Sequence, residues 1–151
     1  MSKILFICTG NTCRSPMAEM IMKNLLKTAG IRHIDVCSRG LSVFNASPVS
    51  LHAQTLLSMQ NIDSSSHCST FLAEEDITKD TLILTMTNGH KQHIYAYFPQ
   101  FASQTYTLAE YTTGYHTDIQ DPYSGSLDIY KTCYIQLEGF LKILIKNLPT
   151  L

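Results

Sequence analysis

Short apolar runs alternate along this chain with segments of helical periodicity, and this alternation constrains the fold more than any other feature. The runs have the length typical of β-strands, and the other segments repeat apolar residues every three or four positions. Such alternation is typical of β–α–β units, in which helices cover both faces of a parallel sheet. The sequence therefore predicts a three-layer α/β fold with a four-stranded parallel sheet. The predicted strands are Lys3–Cys8, His33–Ser38, Thr81–Met86 and Gln104–Leu108, and the predicted helices begin at Pro16, Pro48, Asn88 and Leu127.

The remaining segments carry no sign of a second domain. The helices are expected to end near Gly30, Met59, Tyr97 and Asn147, and a long turn-rich loop is expected between the last strand and the last helix. No repeat, low-complexity tract or linker interrupts the pattern, so residues 1–151 are predicted to form a single domain.

Composition narrows the class of protein. The net charge is −1 and the sequence contains no run of Lys and Arg, which argues against a nucleic-acid partner. The first apolar run, from Ile4 to Cys8, is too short for a signal-peptide core or a membrane span. We therefore expect a cytoplasmic protein with no membrane partner. No pattern in the sequence indicates the oligomeric state.

The cysteines and histidines give little support to a metal site. Five cysteines occur without a CxxC pair, so they are interpreted as free thiols. His90 and His93 form an HxxH pattern, but no third ligand lies nearby in the sequence. We expect neither a metal nor an organic cofactor. The cysteines are Cys8, Cys13, Cys37, Cys68 and Cys133.

The loop after the first strand has the composition of an oxyanion site. Cys8 ends the strand, and Arg14 stands six residues later, at the entrance of a helix. The small and polar residues between them can curl so that successive N–H groups point inward at an anion. The helix N-terminus adds partial positive charge, and Arg14 can bind two oxygens. These surroundings are expected to favour the thiolate of Cys8, placed for in-line attack on phosphorus.

Two other interpretations of this loop were weighed. A Walker-type loop requires a second glycine and a lysine that the sequence lacks. A buried structural cysteine followed by a surface arginine stays open, because the spacing Cys-x5-Arg is by itself a weak motif.

A second segment offers the proton donor that phosphoryl transfer needs. Asp121 follows the fourth strand and precedes Pro122, which favours extended geometry at the aspartate and can aim its carboxylate. Taken alone, Asp-Pro is only a turn signal. Asp118 is the weaker candidate for the same role and is expected to be a supporting charge.

With these residues identified, the chain resembles the low-molecular-weight protein phosphatases. The resemblance rests on Ile7–Glu19, which reads ICTGNTCRSPMAE, and on the tripeptide Asp121-Pro122-Tyr123. It runs from Lys3 to about Leu148 and implies a four-stranded parallel sheet with helices on both faces. It also implies that Cys8 is the nucleophile and Arg14 the phosphate clamp. Asp121 would act first as general acid and then as general base.

The resemblance assigns further roles around the loop. Asn11 would hold the loop in a strained shape, and Ser15 would hydrogen-bond the thiolate. His67 would brace Asn11, the alternative being an ordinary surface histidine. Cys13 would form a reversible disulfide with the nucleophile, the alternative being a small buried residue. The residues expected to bind phosphate or substrate are Thr9, Gly10, Asn11, Thr12, Cys13, Ser15 and Tyr123.

The residue at position 12 bears on the substrate. Phosphotyrosine-specific members of the family usually carry a bulky aliphatic residue there, whereas members that act on phosphoarginine carry threonine, as this chain does. A hydroxyl can accept the N–H donors of a guanidinium group where an aliphatic side chain cannot. The predicted partners are therefore proteins phosphorylated on arginine, with phosphotyrosine as the alternative. Tyr123 could stack on either flat group.

Two other functions remain as rivals. Arsenate reductases share this scaffold but need two further cysteines to relay a disulfide, and residues 80–90 contain none. A phosphate-binding module without activity would be expected to lack Cys8, Arg14 or Asp121, and all three are present.

Overall fold

Four parallel strands form the centre of the fold in the computed structural model, which describes residues 1–148. The four-stranded parallel sheet is as predicted, and the strands lie in the order β2-β1-β3-β4. The strands are β1 (Lys3–Cys8), β2 (Asp35–Gly40), β3 (Thr81–Thr85) and β4 (Thr105–Thr107). The helices are α1 (Arg14–Thr28), α2 (Leu51–Met59), α3 (Asn88–Tyr97), α4 (Leu108–Thr113) and α5 (Leu127–Lys146).

Side chains of β1 point alternately into two hydrophobic cores. Ile4 and Phe6 pack on one face of the sheet with buried residues of α1 and α5, such as Leu137. Leu5 and Ile7 pack on the other face with Ile94 of α3. Burial of one such side chain contributes about 1.5–3 kcal/mol, and β1 also pairs with a strand on each edge, β2 and β3, so it is firmly anchored. The last residue of this strand is therefore held on a rigid support.

The pairing of β1 with β2 places Cys8 and Gly40 side by side at the carboxyl edge of the sheet. Lys3 lies opposite Asp35, and the register continues to Cys8 opposite Gly40. This register also explains why β2 begins at Asp35, two residues later than the predicted start at His33. The ends of a strand depend on which backbone groups of the neighbouring strand are available for pairing, and the sequence of one strand does not show this.

A short helix occupies part of the segment that was predicted to be a turn-rich loop. Thr107 caps α4 by accepting a hydrogen bond from the N–H of Glu110, and its hydroxyl donates to the Glu110 carboxylate. Gly114, with a φ of +82°, ends the helix. The prediction was wrong here, although the capping signature Thr-x-x-Glu was present in the sequence. Two 3-10 turns, at Glu74–Asp76 and Pro99–Gln104, were also not predicted.

No helix within residues 1–148 combines the length and the apolar character needed to cross a membrane.

Candidate active site

A cavity of about 180 Å³ opens at the carboxyl edge of the sheet, where β1 leads into α1. It brings together residues of the loop after β1 and residues of the segment before α5, which are far apart in the sequence. Of the predicted site residues, only Ser15 and His67 do not line it. The lining residues are Cys8, Thr9, Gly10, Asn11, Thr12, Cys13, Arg14, Asp121 and Tyr123.

Asn11 determines the shape of the loop. Its φ of +57° lies in the left-handed region, which costs a residue other than glycine about 1–3 kcal/mol. Its side-chain amide donates to Ser15 Oγ at 2.8 Å and to Ser38 Oγ at 2.9 Å, and its Oδ1 accepts from the N–H of Thr70 at 3.0 Å. Because all three contacts are buried or nearly so, they hold the backbone in this conformation.

The same network orients the hydroxyl that contacts the thiol. Ser15 Oγ lies 2.9 Å from Cys8 Sγ and already accepts a hydrogen bond from Asn11. A thiolate sulfur can only accept, so the Ser15 hydroxyl is the donor once Cys8 is ionised. The N–H of Asn11 also points at this sulfur, at a distance of 3.2 Å.

A second layer of polar residues supports Asn11. The His67 ring lies 2.9 Å from the Asn11 carbonyl through Nε2. The Ser38 hydroxyl donates to the buried carboxylate of Glu19 at 2.6 Å, and Lys23 forms an ion pair with the other carboxylate oxygen. Sequence reasoning singled out His67 but missed Glu19 and Ser38, which have no recognisable spacing relative to the loop.

Gly40 allows the end of β2 to lie against the loop. A Cβ atom at this position would stand 2.7 Å from the Thr9 carbonyl oxygen and 2.5 Å from a methyl group of Val43. Since backbone cannot move aside cheaply, only glycine fits this close approach. Sequence reasoning did not identify this constraint.

Arg14 is a buried residue, and the alternative of a surface arginine is wrong. Its side chain is only 6% exposed. One terminal nitrogen, Nη1, donates to the Ile119 carbonyl at 2.9 Å, and the other, Nη2, lies 3.7 Å from Oδ2 of Asp121. The guanidinium is thus fixed in orientation beside the cavity.

Asp121 is the carboxylate at the cavity mouth, and its side chain is 52% exposed. Oδ1 accepts the N–H of Tyr123 at 3.0 Å, which holds the carboxylate over the cavity. Tyr123 is exposed and forms one wall of the mouth. The tight turn that follows includes Ser124 with a φ of +63°, and Gly125, where a Cβ would clash with the Pro122 carbonyl.

Asp118 occupies a different environment from Asp121. It accepts the N–H of Asn88 at the start of α3 at 2.8 Å and pairs with His116 Nε2 at 2.6 Å. The backbone hydrogen bond from Asn88 is the main reason that the pKa of Asp118 is lowered. A carboxylate stabilised in this way is a poor proton donor.

Burial raises the pKa of the Cys8 thiol, and this is the largest single effect on it. The Ser15 hydroxyl, the Arg14 guanidinium and the Asn11 N–H act in the opposite direction and favour the thiolate. The net change is upward, contrary to the expectation from sequence. The stabilising contacts were predictable because they lie in one short loop, whereas the depth of burial is decided by packing around the whole strand.

Cys13, also in this loop, is a buried thiol. Its sulfur lies 3.2 Å from the hydroxyl of Tyr130 and donates to Ser50 Oγ at 3.3 Å. Burial is the main reason that the pKa of Tyr130 is raised to about 12, so its hydroxyl stays neutral. These contacts tie the loop to α5 and to the start of α2.

His90, noted in the sequence as half of an HxxH pattern, contacts the loop instead of a metal cluster. Its Nε2 lies 2.9 Å from Thr9 Oγ1. In the part of the chain that the structure describes, no three side chains of His, Cys, Asp or Glu gather as they would to hold a metal ion.

A buried cysteine thiol, a fixed arginine and an exposed carboxylate around one oxyanion-sized cavity define the class of cysteine-dependent phosphatases. The comparisons agree with this class. The sequence profile described as "Low molecular weight phosphotyrosine protein phosphatase" matches residues 3–150. The chain therefore belongs to the low-molecular-weight phosphotyrosine protein phosphatase family, and the resemblance seen in its motifs is confirmed.

Individual relatives span nearly the whole chain. A protein-arginine-phosphatase of Bacillus subtilis is 41% identical over 96% of this chain and 95% of its own length. The low molecular weight protein-tyrosine-phosphatase PtpB of Staphylococcus epidermidis is 37% identical over 89% of this chain and 91% of its own. A solved structure of the YwlE arginine phosphatase, a mutant with a phosphorylated active-site serine, superposes with a TM-score of 0.88. It is 40% identical and covers 97% of this chain and 95% of that one.

Proposed function

We propose that this protein is a single-domain cytoplasmic phosphatase that removes phosphate from phosphorylated arginine side chains of proteins through a phosphocysteine intermediate. The observation that carries the proposal is the convergence of Cys8, Arg14 and Asp121 on one cavity. These three side chains supply a nucleophile, a cation for the phosphoryl oxygens and a proton donor for the departing atom.

In the first step, the Cys8 thiolate attacks phosphorus, and the bond from phosphorus to the leaving nitrogen breaks. Asp121, in its protonated form, gives its proton to that nitrogen, so the arginine side chain leaves as a guanidinium and Asp121 becomes a carboxylate. The loop N–H groups and Arg14 stabilise the charge on the equatorial oxygens. The buried contact of Arg14 with Ile119 keeps the guanidinium in place without reorganisation.

In the second step, a water molecule attacks the phosphocysteine. Asp121 is now a carboxylate and accepts a proton from the water, the sulfur–phosphorus bond breaks, and inorganic phosphate and the Cys8 thiolate are released. The Ser15 hydroxyl and the Asn11 N–H, both directed at the sulfur, stabilise the departing thiolate. The relative with a phosphorylated serine at its active site supports a covalent intermediate of this kind.

The preference for phosphoarginine is supported by Thr12 and by the similarity to the arginine phosphatase of Bacillus subtilis. Thr12 lines the cavity, where its hydroxyl can accept an N–H of the substrate guanidinium. An aliphatic side chain at this place offers contact but no acceptor. The tyrosine phosphatase of Staphylococcus epidermidis is nearly as similar, so phosphotyrosine is the alternative substrate.

The test compares kcat/KM on a phosphoarginine peptide and a phosphotyrosine peptide of otherwise equal sequence. The native chain, Thr12→Ile and the matched control Thr12→Ser are assayed side by side. We expect the native chain and Thr12→Ser to prefer phosphoarginine, and Thr12→Ile to lose or reverse that preference. A preference for phosphotyrosine in all three proteins would contradict the arginine assignment and leave the cysteine mechanism intact.

Cys13 is proposed to protect the nucleophile by forming a reversible disulfide with it. Hydrogen peroxide would oxidise Cys8 to a sulfenic acid, and the Cys13 thiol would then displace water to form the disulfide. The Cys13 sulfur must leave Ser50 and Tyr130 to do so. Peroxide-treated native protein is expected to regain activity with dithiothreitol, and Cys13→Ser to lose this recovery; equal recovery of both would contradict the role.

A further inference from the structure

His90 is a buried histidine that reaches the wall of the phosphate cavity from outside the loop. It stands in the first turn of α3, and its Nε2 lies 2.9 Å from Oγ1 of Thr9. Thr9 lines the cavity directly after the nucleophile. The side chain of His90 is therefore one contact away from a bound phosphoryl group, and none of the catalytic steps above uses it.

The other ring nitrogen of His90 decides which way this hydrogen bond runs. Nδ1 is fully buried and has no hydrogen-bond partner in the described part of the chain. A buried N–H without an acceptor is rarer in proteins than a buried acceptor without a donor. The hydrogen of the neutral ring is therefore assigned to Nε2, and Nε2–H donates to Thr9 Oγ1.

The ring is neutral over the range in which the enzyme would work. Burial, with the nearby positive charge of Arg14, lowers the pKa of His90 to about 4. The neutral ring therefore carries one hydrogen, which lies on either Nε2 or Nδ1, and these are the two tautomers to distinguish.

We propose that His90 is a positioning residue that makes Thr9 a hydrogen-bond donor to the phosphoryl group. When Nε2–H donates to Thr9 Oγ1, the hydroxyl hydrogen of Thr9 cannot point at His90. It turns instead toward the cavity, where a phosphoryl oxygen accepts it. In the opposite tautomer, with the hydrogen on Nδ1, Nε2 would accept the Thr9 hydroxyl hydrogen. Only lone pairs of Thr9 Oγ1 would then face the phosphoryl group. The inference rests on the phosphate site of the proposed function and adds one side-chain donor to it.

The affinity of the protein for inorganic phosphate, measured by isothermal titration calorimetry, tests the pair. We expect Thr9→Val and His90→Met each to weaken phosphate binding about tenfold, the effect of one hydrogen bond to a charged group. The double variant should bind no more weakly than Thr9→Val alone, because His90 acts only through the hydroxyl that Thr9→Val has already removed. His90→Gln and Thr9→Ser keep the N–H and the hydroxyl and should bind within about threefold of the native chain.

Three results would overturn the inference: additive losses in the double variant, unchanged phosphate affinity in His90→Met, or a His90→Gln variant as weak as His90→Met. A readout on the native chain covers the case in which a variant does not fold. Nitrogen-15 NMR of the labelled imidazole should show the Nε2–H tautomer near pH 7, and the Nδ1–H tautomer would refute the assignment. If the native protein binds no phosphate, the proposed function fails as well. If the native protein binds phosphate and His90→Met binds it equally well, only this inference is refuted.

Discussion

The carboxylate of Asp121 lies 3.7 Å from the guanidinium of Arg14, across the mouth of the cavity that holds Cys8. Arg14 is buried and held by the Ile119 carbonyl, whereas half of the Asp121 side chain faces solvent. The arginine is therefore the fixed member of the pair and suits a binding role. The exposed carboxylate can exchange protons with water, as the proposed acid and base role requires.

Replacing Cys8 by serine should abolish turnover and preserve phosphate binding. The oxygen is a much weaker nucleophile at neutral pH, while the loop N–H groups and Arg14 remain in place. We expect no measurable hydrolysis of p-nitrophenyl phosphate and a phosphate affinity close to native by calorimetry. Cys68→Ser, at an exposed cysteine outside the cavity, is the matched control and should keep native turnover. Substantial turnover by Cys8→Ser would exclude Cys8 as the nucleophile.

Replacing Asp121 by asparagine should slow turnover by about 10²–10⁴-fold, the usual contribution of a positioned proton donor. Asparagine can still accept the Tyr123 N–H, so the turn should keep its shape. Asp118→Asn is the control, because it can still accept the Asn88 N–H, and we expect less than about a tenfold loss from it. A near-native rate for Asp121→Asn together with a large loss for Asp118→Asn would transfer the acid role to Asp118.

Removing the Ser15 hydroxyl should raise the pKa of Cys8 further. Ser15 stabilises the thiolate, so Ser15→Ala withdraws a contact that lowers the pKa, and the sign of the change is upward. The rate of alkylation by iodoacetamide, followed by mass spectrometry on the Cys8 peptide, should show its pH midpoint at a higher pH than in the native chain. Asn11 keeps its hydrogen bond to Ser38 in the variant, so the loop should retain its conformation. An unmoved or lowered midpoint would show that Ser15 does not stabilise the thiolate.

Adding a methyl group at Gly40 should destabilise the fold by about 1–3 kcal/mol or more, the usual cost of overpacking. The new Cβ would be driven into the Thr9 carbonyl oxygen and Val43. Gly139→Ala is the matched change, since nothing lies within 4 Å of its Cβ position on α5, and there alanine should stabilise by about 0.5–1 kcal/mol. Urea unfolding measures both. Equal stability of the two variants would contradict the close approach at Gly40.

Gly40→Ala also separates stability from chemistry. Because the clash falls on the loop itself, the variant should lose phosphate affinity under conditions where it is still folded by circular dichroism. A folded Gly40→Ala variant with native affinity would show that the loop tolerates the displaced strand end.

Much of the fold and part of the site are local properties of the sequence. The strand pattern from Lys3 to Cys8, the small residues of the loop and the helix that follows are neighbours along the chain. Their composition and order favour an anion-binding loop with a thiol at one end and a guanidinium at the other. The alternation of strands and helices likewise predicted the four-stranded parallel sheet, since each β–α–β unit restricts the next.

Some local signals were present but not used. The helix α4 was taken for loop because its run is short, although Thr107 and Glu110 form a capping signature. The start of β2 was misplaced because a strand's ends depend on its partner, and the partner Lys3 aligns with Asp35.

The tertiary structure alone decided the depth of burial and the contacts between distant segments. The packing around β1 buries Cys8 and raises its pKa against the effect of its neighbours in the loop. The approach of β2 makes Gly40 indispensable, and the fold brings His90 to Thr9 and Asp121 to Arg14. The sequence by itself determined the chemistry of one loop, because loop chemistry depends on neighbours along the chain. The fold determined which groups surround that loop, because those contacts arise only when separate segments pack together.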